Sequence, residues 1–227
     1  MLKVTWLGHA CFVLEDEAHR IVIDPFLSGN PVAAMKPEKL QVDAVLVTHG
    51  HGDHLGDAVP IAKRCQAPII APFELAKYCE RQGATIHPMH IGGSHQFPFG
   101  TVKLTIAHHG SAMVGEQAEY TGNPCGFLVT MGGQTVFHAG DTGLFGDMKL
   151  IGELNEIDLA LLPIGDNFTM GPKDASIAAG FLRARRVVPM HYNTFELLNQ
   201  DAEAFVDSLP GGCSGTVLAP GESLTLD

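Results

Sequence analysis

The chain reads as a mixed α/β protein in which sheets pack face to face and helices cover the outside. Three observations predict this class. Short runs rich in β-branched and aromatic residues open each half and are joined by turn formers, as in hairpins. Strand-like and helix-like segments then alternate. Hydrophobic residues fill 45% of the 227 positions and charged residues 17%, the composition of a chain that buries a core without disulfide or metal staples. One domain over residues 1–227 is expected. A doubly wound parallel sheet is the rival. The early hairpins count against it, and no G-x-G-x-x-G loop follows the first strand.

The elements follow in order. "KVTWL" (3–7), "CFVLE" (11–15) and "RIVID" (20–24) are short strands, and "GNPVAAMKPEKL" (29–40) is a loop. "DAVLVTH" (43–49) is an apolar run with a polar end, the pattern of a buried strand that delivers its carboxyl end to a site. "LGDAVPIAKRC" (55–65) predicts a helix with Pro60 in its first turns. "APIIAP" (67–72) is a strand and "FELAKYCERQG" (73–83) a helix closed by Gly83. "TVKLTIAHH" (101–109) is a strand, and residues 125–142 form a hairpin turning at Gly132-Gly133. Strand (157–166), helix (172–185), strand (186–192), helix (199–210) and terminal β structure (215–227) complete the chain.

The net charge of −11 argues against nucleic acid and against an anionic membrane surface. A small anionic substrate stays open, because metal ions invert a local field. No apolar run approaches the roughly 18 residues of a membrane helix. The opening "MLKVTWLGHACFVLEDEAHR" reads as two strands, not a signal peptide. Five scattered cysteines without C-x-x-C suit reduced filler thiols in a cytoplasmic protein.

The chemistry concentrates in "LVTHGHGDHLGD" (46–57). Alternate residues of an extended segment point the same way, so His49 and His51 reach one ion together. Asp53 and His54 follow the turn at Gly52 and reach a second. Three histidines and an aspartate within six positions, buried without metal, would leave many polar groups to satisfy. Other buried strands end at His108 and His109, at His138 and Asp141, and at His191. Imidazole and carboxylate suit zinc, manganese and iron. Asp141, with two oxygens, can bridge a pair of ions.

The order T-H-x-H-x-D-H, then a histidine, then G-D-T, then a histidine resembles the metallo-β-lactamase superfamily. "WLGHACF", "IDPF", "HAGDTGLF", "LPIGDNFTMGP" and "PMHYNTF" resemble its metal-dependent hydrolase subgroup, similar to ascorbate-6-phosphate lactonases and more distantly to the N-acylphosphatidylethanolamine phospholipase D type. The resemblance implies a four-layer αβ/βα sandwich with two divalent ions at one edge, zinc foremost and manganese, iron or nickel as alternatives. His49, His51 and His109 would hold the first ion, Asp53, His54 and His191 the second, with Asp141 between. Asp53 and His54 stand nearest the chemistry, Asp53 also orienting the attacking hydroxide. "AHHGS" selects His109 over His108 by likeness to the family's A-x-H-S-S, with the alternative open.

The expected reaction is hydrolysis of a small lactone, ester or phosphodiester, anionic or phosphorylated substrates included, by hydroxide held between two metals. A nuclease of the same superfamily and a non-catalytic metal sensor are the alternatives. His9, Asp24, His138, Asp166, Thr169 and Tyr192 are candidates to support the ligands or line the pocket, with Asn167 and Asn193 beside them. His19, His87, His90 and His95 are expected to be structural or surface residues. Related lactonases suggest self-association.

Overall fold

A computed structural model describes residues 1–227. Its first half runs β1 (Leu2–Gly8), β2 (Cys11–Glu15), β3 (Arg20–Ile23), β4 (Ala44–Leu46), α1 (Gly52–Leu55), α2 (Ala58–Cys65), β5 (Ile69–Pro72), α3 (Phe73–Arg81) and β6 (Ile86–Met89). The second half begins with β7 (Ser94–Phe97), β8 (Gly100–Ile106), β9 (Ala112–Val114), β10 (Ala118–Tyr120), β11 (Cys125–Met131) and β12 (Gln134–His138). It ends with α4 (Met148–Leu154), β13 (Leu159–Pro163), α5 (Pro172–Leu182), β14 (Arg186–Met190), α6 (Ala202–Asp207), β15 (Ser214–Gly215) and β16 (Ser223–Leu226).

Two seven-stranded sheets result, in the orders β16-β1-β2-β3-β4-β5-β6 and β15-β14-β13-β12-β11-β8-β7, with β9 and β10 as a separate ribbon. Each sheet is antiparallel where the sequence signals hairpins and parallel where strands alternate with helices. The chain closes by returning β16 to pair with β1 in the first sheet.

Side chains of period two decide the layers. In the first sheet Phe12, Leu14, Ile21, Ile23, Ala44 and Leu46 face the second sheet within one large apolar cluster. Their alternates Val13, Val22, Val45 and Val47 face outward, under Ile61, Ala62, Leu75 and Ala76 of α2 and α3. The second sheet is covered by Met148 of α4, Ala175, Ala178 and Leu182 of α5 and Phe205 of α6. The architecture is a helix–sheet–sheet–helix sandwich, as expected.

Three local expectations are corrected. The helix over 55–65 is two helices, α1 and α2, because Gly56 adopts φ +38 and a Cβ there would stand 2.6 Å from the Pro25 carbonyl oxygen. The break frees Asp57, whose carboxylate accepts the Leu27 and Ser28 amides at 3.0 and 2.7 Å and pins the loop after β3. The helix over 199–210 shortens to α6, capped by Asp201 on the Ala204 amide. The strand over 101–109 ends at Ile106, so His108 and His109 lie on the loop beyond it. Gly132 and Gly133, both at positive φ, turn the β11–β12 hairpin as expected.

Candidate metal centre

The carboxyl ends of parallel strands leave backbone groups unpaired and loops free to converge, so sites form there. Here the loops after β3, β4, β8, β12 and β14 meet, joined by the β1–β2 turn.

Asp24, just past β3 and held at φ +49, is fully buried. Its Oδ1 accepts the Thr48 amide at 2.8 Å. Its Oδ2 accepts the Thr48 hydroxyl at 2.7 Å and the His54 Nδ1–H at 2.7 Å. The Thr48 hydroxyl has one proton and spends it on Asp24. It therefore accepts from His49 Nδ1–H at 2.9 Å. Both Nδ1–H groups are thus taken up, and each ring turns its Nε2 toward the centre.

Asp141 is the hub. Its Oδ1 lies 3.2 Å from His54 Nε2, and its Oδ2 lies 3.0, 3.5 and 4.0 Å from Nε2 of His191, His109 and His49. None of these is aligned as a hydrogen bond for His54 Nε2, Asp141 Oδ1 or His191 Nε2, which are buried without a partner. One further nitrogen converges beside them. His51 Nδ1 lies 3.0 Å from His49 Nε2 and 3.2 Å from His109 Nε2. Buried polar atoms are normally paired, so a cluster of lone pairs aimed at one another is the arrangement a cation completes.

The electrostatics agree. Burial works to raise the Asp141 carboxyl, but His191 and His54 outweigh it and hold it well below the carboxylate range. Burial pulls the His54 ring down, yet Asp141 and Asp24 prevail and hold its pKa well above the ordinary imidazole value. Burial lowers His49, His51 and His109. On the other flank His9, at φ +56 and fully buried, lies 3.2 Å from Asp53 Oδ2 and sets its ring, tilted by 42°, 4.0 Å from that of His191. Burial lowers His9 to about 4, so the ring is neutral near pH 7. Asp53 is ionised and cannot donate, so His9 Nε2–H donates to it while Nδ1 accepts the Thr194 hydroxyl at 2.8 Å.

A family model described as the β-lactamase superfamily domain matches residues 19–192. The UPF0173 metal-dependent hydrolase YtkL of Bacillus subtilis is 58% identical over 99% of this chain and 100% of its own, and a UPF0173 relative from Bacillus velezensis is equally so. Among solved structures, Igni18, a metallo hydrolase from the archaeon Ignicoccus hospitalis, superposes with a TM-score of 0.91 at 35% identity, covering 100% of this chain and 98% of that one. The chain belongs to the UPF0173 metal-dependent hydrolases of the β-lactamase superfamily.

In this UPF0173 protein every residue expected to bind metal is drawn into the centre. Three groups of ligand atoms lie within mutual reach: His49, His51 and His109; Asp53, His54 and His191, with His9; and His49, His54 and Asp141. His109 and not His108 enters, because His108 turns outward and stacks on Phe145 at 4.9 Å. Other candidates lie elsewhere. His138 spans the sheets, donating Nε2–H to the Ala10 carbonyl at 2.9 Å and accepting the Gly140 amide on Nδ1 at 3.1 Å, so both its nitrogens are spent. Tyr192 turns away from His191 and stacks on Trp6 at 5.5 Å, lining a broad surface depression of about 770 Å³ with Asn193 and Glu203. Asp166 and Asn167 are exposed, and the Thr169 hydroxyl bonds the Met170 carbonyl; their loop reaches the centre through the Met170 amide on the Thr142 carbonyl and through Gly165, pressed against His191. Thr48 and Thr194, which orient His49 and His9, escaped sequence reasoning as sites. Their only signal was position beside the motif histidines. Three of the cysteines are buried: burial raises Cys11 and Cys125 and pushes Cys79 to about 12. No helix is long and apolar enough to cross a membrane.

Proposed function

We propose that this metal-dependent hydrolase holds two divalent ions, zinc foremost, and cleaves a small lactone, ester or phosphodiester. The observation that carries the reading is the set of unpartnered buried atoms, His54 Nε2, Asp141 Oδ1 and His191 Nε2, around one carboxylate that faces four imidazoles. His49, His51 and His109 would hold one ion, Asp53, His54 and His191 the other, and Asp141 both. When bound, such ions supply activation of water at neutral pH and polarisation of the electrophile. The chain does the rest. Asp24 and Thr48 fix the His54 and His49 rings, so their Nε2 atoms point inward before any ion arrives. Asp53, with 31% of its side chain exposed, is the one carboxylate at the mouth, and His9 holds it by one oxygen and leaves the other free to orient water or take a proton. Thr194 locks His9 in the tautomer that permits this.

The lactonase comparison drawn from the sequence supports a lactone or ester over a phosphodiester. The test is elemental analysis of untagged protein purified without added metal or chelator, followed by a lactone, ester and phosphodiester panel. About two ions per chain with turnover of a lactone or ester is the expected result. No metal bound, and none taken up on titration, would overturn it.

A further inference from the structure

The loops that build the centre share a feature of charge. Residues 8–11, 24–35, 47–57, 107–123, 138–147, 164–171 and 191–200 contain no lysine or arginine. The arginines are spent elsewhere. Arg20 pairs with Glu15, Arg183 with Glu153, and Arg185 with Asp158 and Glu156. Arg81, which reaches the β9–β10 ribbon, is taken up by Glu119. The same loops carry Asp53, Asp57, Glu116, Asp147 and Glu196. A phosphorylated or carboxylated substrate is normally held by arginine or lysine away from the reacting centre. Within these residues nothing offers that grip; the exposed Lys36 and Lys39 lie further along the loop after β3.

These loops offer an aromatic wall instead. Phe26, on the loop after β3, and Phe195, on the loop after β14, each approach His9 edge to face at 5.8 Å, and their rings stand 6.4 Å apart. His9 bonds Asp53, so this wall borders the one open carboxylate of the centre. Phe195 remains 43% exposed. Its loop is not slack. Thr194 bonds His9, the Asn193 amide bonds the Leu198 carbonyl at 2.9 Å, and Asn193 Oδ1 accepts the Gln200 amide at 2.8 Å. A braced loop that holds a phenyl ring in water beside a reactive carboxylate is built to present the ring.

We infer that the substrate is a neutral molecule whose group next to the scissile bond is aromatic or bulky and apolar, seated against Phe26 and Phe195. This rests on the hydrolase reading above and narrows it by excluding phosphorylated and carboxylated substrates. Specificity then comes from apolar burial at the wall, with the ligand cluster supplying the only strong polar contact.

The experiment compares three hydroxamic acids that share one metal-binding head: phenylacetohydroxamic, acetohydroxamic and phosphonoacetohydroxamic acid. Calorimetric titration is run on protein whose metal content has been measured. The phenyl compound is expected to bind about tenfold tighter than the methyl one, the scale of burying a ring against two others. The phosphono compound gains nothing. Phe195→Ala removes most of the phenyl advantage and leaves acetohydroxamate binding unchanged; the ring is exposed, so the variant folds. Phe26→Ala gives the same pattern from the other side. Equal affinity for phenyl and methyl compounds, or tightest binding of the phosphono compound, would overturn the inference and leave the hydrolase reading intact. No binding of any of the three to metal-loaded protein would sink both.

Discussion

Two histidine clusters in this molecule look alike by distance and differ in everything that matters. In the centre, the rings of His49 and His51 stand 4.6 Å apart. On the edge strands β6 and β7, the rings of His87 and His95 stand 4.3 Å apart. In the first pair His49 lies 4.0 Å from Asp141 with its ring turned by Thr48, His109 joins as a third imidazole, and His49 is sealed from water. The second pair packs on Phe97, and no carboxylate or third imidazole joins it within ligand reach. Proximity of imidazoles therefore does not make a metal site. What makes one is a carboxylate hub, partners that take up the Nδ1–H of His49 and His54, and burial that leaves the remaining ligand atoms nothing to bond but an ion.

The hub is the point at which that contrast breaks most violently. Asp141→Ala removes the one group that faces both sides of the centre. Metal content is expected to fall toward zero and turnover by on the order of 10³-fold or more, because the ligands act as a unit. Far-ultraviolet circular dichroism is expected to be retained, since Asp141 lies on a loop. Full metal content in that variant would remove it from the bridging position. Asp24→Asn tests the orienting shell instead. The amide has one acceptor oxygen where the carboxylate has two, so it cannot take the Thr48 amide on one side and the Thr48 hydroxyl and His54 Nδ1–H on the other, and metal affinity should fall about 10- to 100-fold. Unchanged affinity on competitive chelator titration would show that the rings need no such guide.

The contrast also explains what the sequence made legible. Strand ends bearing His49, His109, Asp141 and His191 were visible because each follows an apolar run. The motif spacing His49–His51–Asp53–His54 needed only local geometry. Thr48 and Thr194 were not legible, because a threonine hydroxyl has no pattern of its own and takes meaning from a ring brought by tertiary structure. His9 was ambiguous for the same reason: its partner Asp53 lies 44 positions away. The short strands β6 and β7 were missed because "IHPM" and "SHQF" lack a continuous apolar run, as befits edges that need little burial. The split of α1 from α2 turned on one glycine pressed against the Pro25 carbonyl, a contact no helical periodicity reports.

A smaller effect follows from the raised pKa of His54. In metal-free protein Asp141 and Asp24 keep its imidazolium charged near neutral pH. An ion needs the bare Nε2, so binding must displace a proton. The folded pKa is raised, so protonation competes with the ion below it and stops competing above it. Apparent metal affinity should therefore climb with pH through neutrality, by up to about tenfold per unit for one displaced proton. Calorimetry in buffers of different ionisation enthalpy reads the released proton directly. A buffer-independent heat would mean His54 is already neutral, and that its carboxylate neighbours weigh less than burial.

The smallest effect sharpens the comparison from its other side. The double substitution His87→Ala, His95→Ala removes as many imidazoles as a severe lesion of the centre would. It should leave metal content and turnover unchanged. The two rings offer at most two ligands, where structural and catalytic metal sites use three or four protein donors. His95 is exposed, so its loss costs little burial, and both side chains sit on edge strands, where the backbone ladder continues without them. The expected stability change is within about 1 kcal/mol, read as the midpoint of chemical unfolding. If the double variant instead lost an ion, the surface pair would be a further metal position, and the rule drawn from Asp141, Thr48 and Asp24 would be too strict. A count of ions per chain before and after the substitution decides it, because the centre itself is untouched by the change.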